Sequence, residues 1–178
     1  MMKKSPMNKK FLFCRILLLV MALFSLLQAS SAAAVDKIIG RVENILLEDA
    51  GIEMKGRIDT GAGVTSLHAE ILEISKPKGK SKIERVKFRV SGEDGKSRVM
   101  EREIIDWANI KRKGADGFDK RPVVMLDICI AGKQVEARVN LADRSAFLYP
   151  ALIGRNLLKA GDFLINPART FMHKPTCK

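Results

Sequence analysis

Rings are scarce in this chain of 178 residues, which carries one Trp, one Tyr and eight Phe. No nucleic-acid motif accompanies them. The 32 Lys and Arg against 20 Asp and Glu, a formal net charge of +12, therefore read as a solvated basic surface, and no nucleic-acid partner is expected. Histidine is rarer still. Beyond the first 34 residues only His68 and His173 occur, with no His-Glu-x-x-His pair and no Cys/His spacing typical of zinc. The Gly-x-x-x-x-Gly-Lys-Ser/Thr phosphate loop is also missing, so neither a metal nor ATP is expected, and no cofactor is assigned. Of three cysteines, Cys14 lies near the start and Cys129 and Cys177 follow much later. Two cysteines do not make a disulfide-dense scaffold. In an oxidising compartment they could pair and tie the tail to the body; Cys129 taken alone reads as a buried strand residue.

What is present begins with a leader. Lys3, Lys4, Lys9, Lys10 and Arg15 form a basic head, Ile16 to Leu27 an apolar core, and Gln28 to Ala34 a small-residue end with Ala32-Ala33-Ala34. This is the pattern of a secretory signal peptide, residues 1–34, cleaved near Ala34. The apolar run is shorter than the roughly 20 residues that span a bilayer, and no later run is longer, so no stable membrane span is expected after cleavage. The expected location is periplasmic or secreted. Residues 35–178 are one domain's length. Without the five basic residues of the leader they keep a net charge of +7, which makes an acidic peptide or polymer the first substrate candidate.

The domain reads as many short strands. Gly40 to Leu47 is apolar-rich, but Ile38, Val42, Ile45 and Leu46 would also suit a helix, and the local pattern leaves both open. Glu48 to Gly51 is a turn, and Ile52 to Ile58 a strand. Ser66 to Ile74 carries the chain onward to a Lys, Ser, Gly and Pro loop at Ser75 to Lys82. Ile83 to Val90 and Arg98 to Ile105 read as hairpin arms around the turn Ser91 to Ser97. Lys111 to Lys120 is a charged, glycine-bearing loop. Val123 to Ile130 is apolar on both faces except for Asp127, as in a buried strand. Gln134 to Leu141 alternates, with Val135, Ala137, Val139 and Leu141 on one face. Gly154 to Lys159 fits a short helix stopped by Gly161, and Phe163 to Ile165 a last strand. The fold class expected is all-β, a closed barrel with one short C-terminal helix.

Within that pattern one stretch carries chemistry. Gly56-Arg57-Ile58 runs as a strand into Asp59-Thr60-Gly61-Ala62 and then Gly63-Val64-Thr65-Ser66-Leu67. Gly61 lets the chain turn tightly beside a carboxylate, and Thr60 offers a hydroxyl for a local hydrogen bond. Taken alone, the tripeptide also fits an ordinary Asx-type turn. A second element, Ala151-Leu152-Ile153-Gly154-Arg155-Asn156-Leu157-Leu158, lies near the end.

Together, and in this order, the two elements resemble retroviral-type aspartic proteases, the retropepsins. The chain is more closely similar to a bacterial retropepsin-like family often labelled an ATP-dependent zinc protease. The matching stretches are Arg57 to Ala69, Arg121-Pro122-Val123-Val124, Leu141 to Ser145 and Tyr149 to Asn156, within a region from about Gly40 to Asn166. The resemblance implies that Asp59, Thr60 and Gly61 form the catalytic loop and that Ala62, Gly63 and Ile153 meet the substrate backbone. It also implies that Gly154, Arg155 and Asn156 form a structural motif beneath the loop. Such enzymes need two carboxylates sharing one proton, so a chain with one Asp-Thr-Gly implies a homodimer in which each subunit contributes Asp59. The implied activity is an aspartic endopeptidase acting on an extended peptide or protein. The alternative is a non-hydrolytic peptide-binding or regulatory protein on the same fold. A flap over the cleft is expected at Lys111 to Lys120, pivoting at Gly114 and Gly117, with Ser91 to Ser97 as the other candidate. Retroviral enzymes carry an Asp where this chain has Gly63, which leaves Arg155 without an assigned partner. His68 reads as a packed or hydrogen-bonded structural residue.

Overall fold

The chain from Ile52 to Thr65 leaves a strand, arches over a loop and returns as another strand, and a third strand from far along the sequence slips between the two. That arrangement is seen in a computed structural model describing residues 37–77, 82–111 and 117–177. The leader and Gly114 lie outside these residues. Among the described residues there are twelve strands: β1 Lys37–Gly40, β2 Val42–Leu47, β3 Ile52–Ile58, β4 Thr65–His68, β5 Glu70–Ser75 and β6 Arg85–Ser91. After them come β7 Ser97–Glu103, β8 Asp106–Lys111, β9 Phe118–Ile130, β10 Lys133–Ala142, β11 Ala151–Ile153 and β12 Phe163–Asn166. The α-helix among the described residues, α1, is Arg155–Ala160. It ends at Gly161, where an added Cβ would lie 2.0 Å from the Phe163 ring.

The barrel expected from the short strands is there. Its strands run β10, β4, β11, β3, β2, β9 and back to β10, which closes the sheet and leaves no free edge among these six. β8 hangs on the outside of β9. A separate sheet of β5, β6 and β7 forms from the hairpin foreseen around Ser91 to Ser97, and β1 pairs in parallel with β12. The interior is aliphatic: Ile45, Leu47, Leu67, Leu126, Ile128, Ile130, Leu141, Ile153 and Leu157 are all buried, each contributing roughly 1.5–3 kcal/mol.

The stretch that could have been helix is β2. It is held as a strand by ladders to β3 on one side and β9 on the other, a tertiary choice that local spacing does not encode. Ser66 to Ile74 is two strands rather than one. The break falls at Ala69, whose N–H goes to the Ala142 carbonyl, so β4 stays in the barrel while β5 turns away to β6. Asp106 to Lys111 gave no strand signal, yet it pairs along Phe118 to Val123. The Lys111 to Lys120 loop is correspondingly shorter, since β9 already starts at Phe118. The polar face of β10 also departs from simple alternation: Asn140 is buried, because its amide bonds Ser66 and the Thr65 carbonyl.

The tail after β12 folds back. Arg41 N–H reaches the Arg169 carbonyl, and Phe171 N–H the Val42 carbonyl, each at 2.8 Å. Cys129 on β9 and Cys177 form a disulfide, Cα to Cα 5.9 Å, fastening this strap at its far end. Among the described residues no helix is long and apolar enough to cross a membrane.

Candidate functional site

The loop carrying Asp59 connects β3 to β4, but these strands are not neighbours. β11 lies between them, parallel to β3 and antiparallel to β4. Ile153 sits opposite Ile58, so the residue after Ile58 is delivered directly above the end of β11. The loop must therefore pass over Ile153-Gly154-Arg155, and the sequence allows for this at one position. A Cβ on Gly154 would come within 2.7 Å of the Val64 carbonyl carbon and 2.8 Å of its oxygen. No side chain fits there.

The crossing is stitched by hydrogen bonds. Asp59 N–H donates to the Ile153 carbonyl at 3.0 Å, Arg155 N–H to Ala62 at 2.9 Å and Asn156 N–H to Gly63 at 3.2 Å. Gly154 N–H donates to Thr65 Oγ1 at 3.1 Å. Asn156 Oδ1 accepts from both the N–H and the hydroxyl of Thr65, at 2.9 and 3.0 Å, while its amide donates to the Arg138 carbonyl at 2.7 Å. The partner that the sequence left open for Arg155 is the loop itself. Its Nη1 donates to the carbonyls of Thr60 and Gly61, at 2.9 and 2.8 Å. A guanidinium bonded to two carbonyls needs no carboxylate at position 63, so Gly63 is consistent with an intact loop.

Asp59 itself is half-buried and lightly used. Its Oδ1 accepts one bond, from Gly61 N–H at 2.9 Å, and Ala62 N–H closes the turn onto its carbonyl at 3.2 Å. The carboxylate is thus oriented by the glycine that follows it, and most of its acceptor capacity is unspent. All nine residues picked out from the sequence, Asp59 to Gly63 and Ile153 to Asn156, come together at this crossing.

Two residues that sequence reasoning gave no role, Asp143 and Arg144, matter here, and both meet His68, whose expected part as a hydrogen-bonded structural residue is seen. The His68 Nδ1 accepts the Arg144 N–H at 2.8 Å, which makes His68 an anchor for the loop after β10. Asp143 Oδ1 lies 3.7 Å from the same nitrogen. Since Nδ1 already accepts the Arg144 N–H, that contact is not an ion pair in this arrangement. Asp143 is instead held below the usual carboxylate range by Ser145, through its backbone N–H first and its side chain second. Arg144 is buried, and burial lowers its guanidinium from the ordinary value. The charges of Arg121 and Arg57 push the same way, and Asp59 opposes them. Nothing in the local sequence Ala142-Asp143-Arg144-Ser145 marks its Arg as buried, because burial comes from the barrel around it.

A closed six-stranded barrel with a short helix, an Asp-Thr-Gly loop and a strand threaded beneath it defines a retropepsin-like protein. The chain belongs to the RimB-like family, described as retropepsin-like aspartic endopeptidase RimB, which it matches over residues 38–176. It is similar to the solved structure of Lpg0085 from Legionella pneumophila, a DUF785 protein of unknown function. The TM-score is 0.65 and the identity 34%, covering 78% of this chain and 98% of that one. Two curated relatives, each named a probable alpha-L-glutamate ligase, come from Shewanella halifaxensis and Shewanella pealeana. They are 28% and 27% identical over 138 residues, 75% of this chain. The match spans only 29% of the length of either ligase.

Proposed function

We propose that this protein is an aspartic endopeptidase of the bacterial envelope, active as a homodimer and directed at acidic peptides. The observation that carries the reading is Asp59: a half-exposed carboxylate bonded by one N–H, on a loop whose backbone is pinned from below by Ile153, Arg155 and Asn156. Two such loops facing each other across a two-fold axis place two carboxylates close enough that both cannot ionise, so they share a proton. The ionised one takes a proton from water as the water oxygen attacks the peptide carbonyl carbon. The protonated one gives its proton to the carbonyl oxygen. Collapse of the tetrahedral species breaks the C–N bond, and the amine leaves with a proton from the dyad.

The substrate would lie extended and add its backbone as a strand. The β8–β9 hairpin is the flap, with Gly117 in a backbone conformation that favours glycine, at φ 120°. Acidic preference draws on the net positive charge and on the relatives' name: a domain matched within enzymes that join glutamate suits a hydrolase of glutamate-rich peptides. The leader and the Cys129–Cys177 bond both fit an oxidising compartment.

The test is hydrolysis by the purified chain of a diverse peptide library, with an acidic optimum and loss of cleavage in Asp59→Asn. If nothing is cleaved while Asp59→Asn keeps the biological role, the non-hydrolytic binding reading replaces this one. Sedimentation is the second check, because a strict monomer at high concentration removes the dyad.

A further inference from the structure

Among the described residues five polar or charged side chains are buried: Glu43, Thr65, Ser66, Asn140 and Arg144. Four of them have their hydrogen bonds met. Thr65, Ser66 and Asn140 bond one another and Asn156, and Glu43 collects three backbone N–H groups. Arg144 does not fit this pattern. It is 7% exposed, yet it has no carboxylate partner among the described residues. Its Nε–H donates weakly to the Tyr149 carbonyl at 3.4 Å, and its guanidinium carbon stands 4.6 Å from the Phe147 ring centre. The two terminal nitrogens have no bond at all among the described residues. They are not fully enclosed either, since among the described residues the enclosed side-chain oxygen or nitrogen without a bond is Glu48 Oε1. A fork of N–H donors is thus held on an aromatic face, with its tips open.

Its surroundings say what would close them. Arg144 lies on the connection from β10 to β11, the strand whose Ile153 carbonyl holds the Asp59 N–H, and there the charges of Arg121 and Arg57 disfavour its own while that of Asp59 favours it. Arg121 is already paired with Asp119 at 2.7 Å, so it neutralises nothing. Arg57 lies on β3, two residues before Asp59. The backbone of Arg144 is fixed independently by His68. An unpaired buried charge is costly, and a planar fork of donors matches a carboxylate in two bonds at once.

We propose that Arg144 is the specificity residue of the site and receives the side-chain carboxylate of an acidic residue beside the scissile bond. The proposal rests on the reading of Asp59 as the catalytic acid, and it assigns the acidic preference to one side chain. Arg57 adds long-range attraction, and His68 is a positioning residue for Arg144. The exposed Phe147, whose ring carries the guanidinium, sets the plane in which the carboxylate is met.

Binding separates this claim from hydrolysis. The full-length chain with Asp59→Asn is titrated with a fluorescent oligoglutamate peptide and with its oligoglutamine counterpart. Oligoglutamate should bind roughly 10- to 100-fold more tightly, the scale of one charge-assisted hydrogen-bonded pair. Adding Arg144→Met should erase the difference, with a melting temperature unchanged or higher because a buried unpaired charge is gone. Arg144→Lys keeps the charge without the fork and should fall between. The proposal is overturned if Arg144→Met retains the preference, or loses both peptides equally, or if Met and Lys both unfold the chain, which would make Arg144 structural. If the preference and its loss appear but the wild-type chain cleaves neither peptide, the endopeptidase reading fails and the assignment of Arg144 stands.

Discussion

Two carboxylates in this protein hold irregular backbone in place, and they do it in opposite ways. Glu43 is fully buried at the strap where the tail crosses β1 and β2. Its Oε1 accepts from Gly40 N–H at 2.6 Å and Met172 N–H at 3.1 Å, and its Oε2 accepts from His173 N–H at 3.3 Å. Asp59 is half-exposed and accepts one N–H. Around Glu43 the carboxylate does the holding and is used up. Around Asp59 the holding is delegated to Arg155, Asn156 and Thr65, and the carboxylate is left with capacity to spare. A saturated acid is a structural part; an acid whose loop is braced by other groups is available for chemistry.

Substitutions at the two regions should separate along that line. The largest effect belongs to Asp59→Asn. Its Oδ1 still accepts the Gly61 N–H, so the melting temperature should hardly move, while cleavage falls by about 10²- to 10⁴-fold, the usual worth of acid–base catalysis. An equal loss of stability and activity would erase the distinction. Replacing Cys129 and Cys177 together with Ser should cost about 2–4 kcal/mol in denaturant unfolding. Cleavage at temperatures where the protein stays folded should persist, because the bond fastens the strap and not the loop. Glu43→Gln puts an amide N–H where His173 N–H donates, and should lower unfolding free energy by about 1.5–3 kcal/mol. Residual activity per folded molecule is the reading that matters; if it falls with stability, the strap reaches the site.

Gly154→Ala sharpens the comparison from the other side. The added methyl meets the backbone of Val64 and Thr65, which has no flexible end to move. We expect about 1–3 kcal/mol of destabilisation, measured by urea unfolding, together with a loss of cleavage that Glu43→Gln does not show. The smallest effect concerns Asp143. Its carboxyl is held below the ordinary value by Ser145, so its contribution to stability is full above that value and is lost as pH falls through the lowered one. Melting curves of wild type and Asp143→Asn should therefore differ slightly near neutrality and converge as pH falls below about 4.

The candidate site was legible early because its constraints are local. Asp59 and Gly61 make their own turn, and the crossing strand announces itself by an apolar pair followed by the one residue without a side chain. What the chain order did not disclose was how the loop is braced. Arg155 was left without a partner because its acceptors are two carbonyls 95 and 94 residues away, and carbonyls have no sequence signature. Asn140 looked like an outward residue on an alternating strand, and only the pairing of β10 with β4 turned it into a buried amide. β8 went unseen for a related reason: Asp106 to Lys111 is mostly exposed and shows no clean alternation, and it is a strand because β9 offers it a ladder.

By itself, then, the sequence determined the class of fold, the turn that presents Asp59 and the position where another chain segment must pass close. These follow from short-range chemistry: alternation, turn residues and the space a missing Cβ leaves. Tertiary structure alone decided that β11 inserts between β3 and β4, that Glu43 and Asp59 have opposite employment, and that Arg144 is buried with its donors open. Those outcomes depend on which distant groups arrive at the same place, and burial and hydrogen-bond pairing are properties of the assembled barrel, not of any residue's neighbours in the chain.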